Sequence, residues 1–354
     1  MKRNIFYAAV LAAIIFMLIS SGAVIRYSRE ALDMCFRYII PTLFPFFVMS
    51  GLLIYSGFGS VLARAATPVM LPLFNVAPAG AAAFAAGLIS GFPLGAATAA
   101  DLYRAGSLSK TEAERLMAFS SNSGPLFIIG SVGAAIYCRP VYGVLLYVIH
   151  ILSSLLVGII FSRWGRARHN SPPMRLITRE IPLAEVFSTS LSRAAQSIIT
   201  VCFSIIFFSA LSRALLELLP LPPLLGALAS GICEFSTGTV MTAQLDIPTV
   251  EKLVLTSFIV GFSGLCVHIQ VIAMTADAGL SLAPYMLGKL LHGAISAALI
   301  FAALCLMPLE APAFSAAAPA SASFACSPVI IMAAAVPVLL IAVKCRIWKH
   351  PEHA

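Results

Sequence analysis

Apolar runs free of charge alternate with short polar segments along most of the chain. A helix needs about 20 apolar residues to cross a bilayer, so each run is measured against that length. Residues 5–25, behind Lys2 and Arg3, predict a first span. Ser21-Gly22-Ala23 could also serve as a signal-peptide cleavage site, but an uncleaved span is expected. Residues 38–58 predict a second, kinked by Pro41 and Pro45. Residues 65–100 hold no charge over 36 positions, too long for one helix and too broken for two. Pro68, Pro72 and Pro78 interrupt the first part, and Gly87, Gly91, Pro93 and Gly95 the second. An interfacial stretch followed by a re-entrant hairpin is expected. A polar patch at 101–115 follows and reads as a solvated loop. Residues 116–138 are then a run of 23, broken by Asn122-Ser123-Gly124-Pro125, and residues 140–162 carry only His150.

Residues 163–185 hold five arginines around Ser171-Pro172-Pro173. This is a linker, and arginines beside a span mark it as cytoplasmic. A second apolar half comes next. Residues 194–219 end on Arg213 and Glu217, spaced for an i,i+4 ion pair. Residues 220–245 are broken by Pro and Gly and contain one acid, Glu234. Residues 253–276 hold Gly261-Phe262-Ser263-Gly264 and His268, and residues 290–309 hold His292. An Ala/Pro/Ser-rich loop at 310–325 precedes a last span at 326–343 and a basic tail.

With the N-terminus, the linker and the tail all cytoplasmic, the crossings balance only if both broken runs are re-entrant, the first from inside and the second from outside. Each half then reads helix, hairpin, broken helix, helix, in opposite orientation. That is the inverted repeat of many secondary transporters. The expected class is an all-α, polytopic transmembrane helical protein. Its predicted parts are an N-terminal transmembrane helix (1–29), a first repeat (30–162), the basic linker (163–185), an inverted second repeat (186–308), the loop (309–325) and a C-terminal helix with its tail (326–354). Weak internal similarity agrees: Gly87-Leu88-Ile89-Ser90-Gly91-Phe92-Pro93 parallels Gly231-Ile232-Cys233-Glu234-Phe235-Ser236-Thr237-Gly238, and Glu114-Arg115-Leu116 parallels Glu251-Lys252-Leu253.

Composition sharpens the membrane reading. Of 354 residues, 60% are apolar and 10% charged, against about 25% charged in soluble domains; the mean hydropathy is +0.99. The net charge of +8 lies in short runs between apolar stretches, which argues against nucleic acid. Eight cysteines without a CxxC pair read as small buried hydrophobes, not as a disulfide or zinc framework. No Walker loop, GxSxG elbow, HExxH motif or acid pair on one membrane helix is present, so neither an enzyme nor a self-powered pump is expected. No metal or cofactor is expected. The anticipated partners are a small solute and the bilayer, with a proton or sodium ion for coupling and a homo-oligomer both left open.

Glu234 is the strongest site candidate, because a carboxylate at membrane depth costs at least about 2.5–3.5 kcal/mol and should face a cavity, a cation or a proton. Its alternative role is structural: to hold its hairpin by accepting donors from Ser236, Thr237 or facing amides, or to pair with Arg213. Asn122, Ser123 and Ser263, with Gly124 and Gly264, bring donors and exposed backbone to broken helices, where half-helix N-termini favour an anionic group; packing of small residues is the bland alternative. Ser90, Phe92, Pro93, Ser236 and Thr237 belong to the hairpin tips as gate or as turn residues. His268 and Gln270 follow the second break, and a His there could relay protons or simply be satisfied in the core. His150 and His292 read as structural.

Several segments resemble the sporulation integral membrane proteins of the YlbJ type. They are Leu43-Phe44-Pro45-Phe46-Phe47, Ser90-Gly91-Phe92-Pro93-Leu94-Gly95, Ser121-Asn122-Ser123-Gly124-Pro125, Glu234-Phe235-Ser236-Thr237-Gly238, Gly261-Phe262-Ser263-Gly264 and Leu290-Leu291-His292-Gly293. That family is similar to the Gate (nucleoside recognition) group and, more distantly, to concentrative nucleoside transporters. The resemblance implies two Gate-like repeats and a multi-pass protein in a membrane around the forespore. It also implies passage of a small solute such as dipicolinic acid from mother cell to forespore. Phe92-Pro93-Leu94 carries no acid or amide, unlike the first hairpin of the nucleoside transporters, which weighs against a nucleoside as substrate.

Overall fold

The computed structural model describes residues 2–53, 68–165 and 182–306, together with Ser56 and Ala65. Most of the expected linker, the low-complexity loop and the C-terminal span lie outside these residues. Among the described residues every regular element is a helix. Four are long and apolar enough to cross a membrane: Pro140–Phe161, Leu183–Glu217, the broken Thr249–Ala278 and Ala283–Leu306. A bent pair, Val10–Ile19 with Ser21–Ile39, would make a fifth.

The first expected span is not a single rod. Helix α1 (Lys2–Ile19) and helix α2 (Ser21–Met34) meet where the axis turns by 94°. The reason is legible in α2, where Arg26, Arg29, Glu30 and Asp33 fall on one helical face that a lipid-crossing segment could not carry. Helix α2 runs through one π-helical turn, Cys35–Ile39, into α3 (Ile40–Leu53). The kink expected at the prolines takes the form of this widened turn just before Pro41, while Pro45 sits inside α3.

The α2–α3 rod lies antiparallel to α8 (Leu183–Glu217). Arg26 pairs with Glu217 at 2.7 Å, the Cys35 thiol points to the carbonyl of Cys202 at 3.9 Å, and a methyl on Gly51 would meet Ser190 Cβ at 3.0 Å. Arg213 pairs with Glu30. The expected i,i+4 pair of Arg213 with Glu217 is therefore replaced by two pairs to α2, because the neighbouring helix presents opposite charges at matching heights.

Two helical pairs, α4–α5 (Gly80–Ser90, Leu94–Arg104) and α9–α10 (Pro223–Cys233, Phe235–Gln244), fold back on themselves. At 1.5 Å per residue each helix extends about 15–17 Å, half the roughly 30 Å of a hydrocarbon core. The second pair is held by glycines: a Cβ on Gly238 would lie 2.1 Å from Gly231 Cα, so the backbones touch directly.

Helix α6 (Lys110–Ser120) stops at Ser121 and the chain resumes as a π-helical segment, Leu126–Ile136. Helix α11 (Thr249–Phe262) likewise breaks at Ser263 before α12 (Gly264–Thr275). Ser263 and Gly264 both have positive φ, 77° and 71°, and two successive left-handed residues end a helix. Unbroken helices follow each: α7 (Pro140–Phe161) and α13 (Ala283–Leu306).

The polar patch expected as a solvated loop is half core. A capping box of Ser109 and Glu112 starts α6, and Glu112, Glu114 and Arg115 are buried. Each charge meets backbone ends that no helix satisfies. Glu112 also accepts from Ala77 N at 3.0 Å, and Glu114 from Ser281 N at 2.8 Å. Arg115 donates to the carbonyls of Asn75, Trp164 and Gly165 at 2.6–2.9 Å.

Candidate functional site

The bends of the two helical pairs meet at the centre of the molecule. Phe92, in the bend between α4 and α5, and Phe235, at the start of α10, pack edge to face with ring centroids 5.6 Å apart, and Phe127 adds a second edge on Phe235 at 5.0 Å. Each bend also rests on a broken helix. A Cβ on Gly91 would meet Gly124 N at 2.9 Å, and one on Gly264 would meet Phe235 N at 3.0 Å.

Glu234 joins α9 to α10 in an extended conformation, and its side chain caps α10. One carboxylate oxygen accepts from Ser236 N at 2.9 Å and the other from Thr237 N at 2.6 Å; the thiol of Cys266 lies 3.9 Å away. The carboxylate is fully buried, and the donors it meets are the N–H groups at the positive end of a helix. This is the geometry of the hairpin-holding alternative.

At the first break, Asn122 Nδ2 donates to the carbonyl of Phe119 at 2.9 Å, and Ser123 N donates to His150 Nε2 at 3.0 Å. Past the second break, His268 Nδ1 lies 2.7 Å from the carbonyl of Gly264, the contact of a satisfied core histidine. The Oε1 of Gln270 is buried with no hydrogen-bond partner among the described residues. Thr237 Oγ1 donates to Ser209 Oγ at 3.2 Å.

Three cavities run through this region. The smallest, about 40 Å³, is lined by Ser90, Phe92, Ser123, Gly124, Ser236 and Gln270 among others, so six of the residues expected at the site surround one space. It has room for only a few waters. A cavity of about 380 Å³ touches it through Phe127 and Ser236 and opens among Glu30, Asp33, Arg213 and Gln244, with Thr237 also in its wall. Another of about 380 Å³ touches it through Phe47 and Ser90 and opens among Asp101, Ser190, Arg193 and Thr200. Both fall within the usual size of small-molecule sites. Twenty residues of α8 separate Arg193 from Arg213, about 30 Å of helix. Asn122, Pro93, Glu234, Ser263, Gly264 and His268 stand behind these walls rather than in them.

Lys289 is not singled out by the charge-free runs, because it borders the 290–309 run. It is instead the seventh residue of α13 and fully buried. Its ammonium donates to the carbonyl of Ser121 at 2.9 Å and lies 3.2 Å from His292 Nδ1 and 5.0 Å from the centroid of the Phe92 ring. The signal was available: a lone cation inside an apolar segment. His150 and His292, read as structural, also meet at the centre, with ring centroids 4.3 Å apart. His292 Nε2 lies 2.9 Å from the carbonyl of His150, so Nε2 carries the proton and Nδ1 is left to accept from Lys289. The first break, α7 and α13 are thereby tied into one hydrogen-bonded chain.

The chain is similar to a curated protein, the sporulation integral membrane protein YlbJ of Bacillus subtilis (strain 168), with 30% identity over 325 residues, covering 82% of this chain and 78% of that one. No family model and no solved structure matches it.

Proposed function

The chain belongs to the sporulation integral membrane proteins of the YlbJ type, and from that premise we propose that it is a secondary transporter passing a small anionic solute, such as dipicolinic acid, from mother cell toward forespore. The observation that carries this reading is the pair of equal cavities near opposite ends of α8, separated by a centre too small for an organic solute. A closed centre with a vestibule on either side fits alternating access, in which the central site is never open to both sides at once.

The same geometry supports two repeats of opposite orientation. The α4–α5 pair opens toward Arg193 and the α9–α10 pair toward Arg213, while their bends touch between. Helices this short enter a hydrocarbon core and return rather than cross it. Each bend is seated on a broken helix, where irregular backbone is tolerated because it lines a cavity. The arginine-rich linker before α8 makes the Arg193 end cytoplasmic.

Purified full-length protein in proteoliposomes tests the proposal, with labelled pyridine-2,6-dicarboxylate and uridine as solutes. Saturable uptake of the dicarboxylate is expected. Flux of uridine alone would transfer the reading to a nucleoside-type transporter. No flux of either, with a stable protein partner in pull-down, would make the chain a non-transporting membrane organiser.

A further inference from the structure

We propose that Lys289 reads the solute's carboxylate, taking it in exchange for the Phe92 ring when the α4–α5 bend withdraws; this rests on the transporter reading above. Lys289 is buried in a helix long enough to span the bilayer, and no carboxylate among the described residues bonds to it. Its contacts are one carbonyl, one imidazole nitrogen and one aromatic face. The aromatic contact contributes about 0.5–2 kcal/mol, whereas removing an ammonium from water costs several kcal/mol. A carboxylate would supply the missing counter-charge and a charge-assisted hydrogen bond.

The position suits that exchange. The Phe92 ring against the ammonium is also a wall of the central cavity, so it stands where a solute reaching the centre would approach Lys289. Ser123, in the same break as the Ser121 carbonyl that Lys289 holds, lines that cavity too. Withdrawing the bend gives up the ring contacts of Phe92 and the seat of Gly91 on Gly124, whereas Lys289 is tied by hydrogen bonds to Ser121 and His292. The partner that leaves is thus apolar and the one that stays is charged, as anion selection at a gate requires.

The test uses the full-length protein in detergent and in proteoliposomes, with pyridine-2,6-dicarboxylate and its neutral isostere pyridine-2,6-dicarboxamide as probes. Lys289→Met should weaken binding of the dicarboxylate about ten- to a hundredfold, the worth of one buried charge-assisted hydrogen bond, and leave binding of the diamide unchanged. Lys289→Gln, which can still donate to the Ser121 carbonyl but carries no charge, should bind the dicarboxylate as weakly as Lys289→Met, whereas a purely structural clamp on Ser121 predicts rescue. Wild-type affinity for the dicarboxylate in Lys289→Met overturns the proposal. Should that variant not fold, competition on the wild type decides: diamide displacing dicarboxylate with equal affinity overturns it, and at least tenfold weaker displacement supports it. Lysine-dependent binding without flux would refute the transporter reading and leave Lys289 as the anion site. Flux indifferent to Lys289 would do the reverse, and absence of dicarboxylate binding to the wild type would refute both.

Discussion

Glu234 offers the most direct test of how the centre is held. Its two carboxylate oxygens accept from the N–H groups of Ser236 and Thr237 at 2.9 and 2.6 Å, with no water-exposed surface on the residue. Glu234→Ala leaves both donors buried without a protein partner, at about 1–3 kcal/mol each, so a loss of about 2–6 kcal/mol is expected. Glu234→Gln keeps one acceptor oxygen but turns an NH2 group toward the other donor, for a loss of about 1–3 kcal/mol. One kcal/mol moves the melting temperature by about 2–4 °C in domains of 150–250 residues, and by less in longer chains. Several degrees of destabilisation are therefore expected for Ala and about half of that for Gln. Thermal unfolding of the purified variants in one detergent, at one scan rate because such unfolding is irreversible, reads the difference. Wild-type melting of Glu234→Ala would refute the capping argument. A Gln variant as stable as wild type that no longer accumulates solute would show instead that the charge carries coupling.

Gly264→Ala should impair uptake while still inserting, because φ is 71° and the new methyl would meet Phe235 N at 3.0 Å; Gly124→Ala, with its nearest neighbour at 3.6 Å, should be nearly silent in the same flux assay. Arg115→Ala strips the carbonyls of Asn75, Trp164 and Gly165 of their donor and should lower stability by about 2–5 kcal/mol, seen as reduced melting temperature. Cysteines at Gly106 and Asp246, in a background with Cys138, Cys233, Cys305, Cys326 and Cys345 replaced by serine, should label from opposite faces. Gly106 should react from the cytoplasm and Asp246 from the other side, and labelling of both from one face would rule out opposed repeats.

Much of the architecture can be read along the chain, because membrane helices announce themselves by run length and their breaks by Pro, Gly and polar residues. The two broken helices fall where Asn122-Ser123-Gly124-Pro125 and Ser263-Gly264 predict them, and the two short helical pairs fall in the two interrupted runs. Those signals are local: each depends on backbone donors and φ angles within a few residues.

What only tertiary packing decided are the charges. Glu112, Glu114 and Arg115 look solvated in sequence, yet they are buried because loop ends from residues 75–77, 164–165 and 281 bring them unsatisfied N–H and carbonyl groups. Arg213 and Glu217 have the spacing of a helix pair, but α2 presents Glu30 and Arg26 to them instead. Lys289 is visible in sequence as the one charged residue between Asp277 and Glu310, but its place at the centre is set only when α13 packs against the first break and His150. A hydropathy pattern reports how far a residue lies from water along one helix. Which polar atoms come to meet it is set by segments 35 to 191 residues away along the chain, and those meet only in the folded chain.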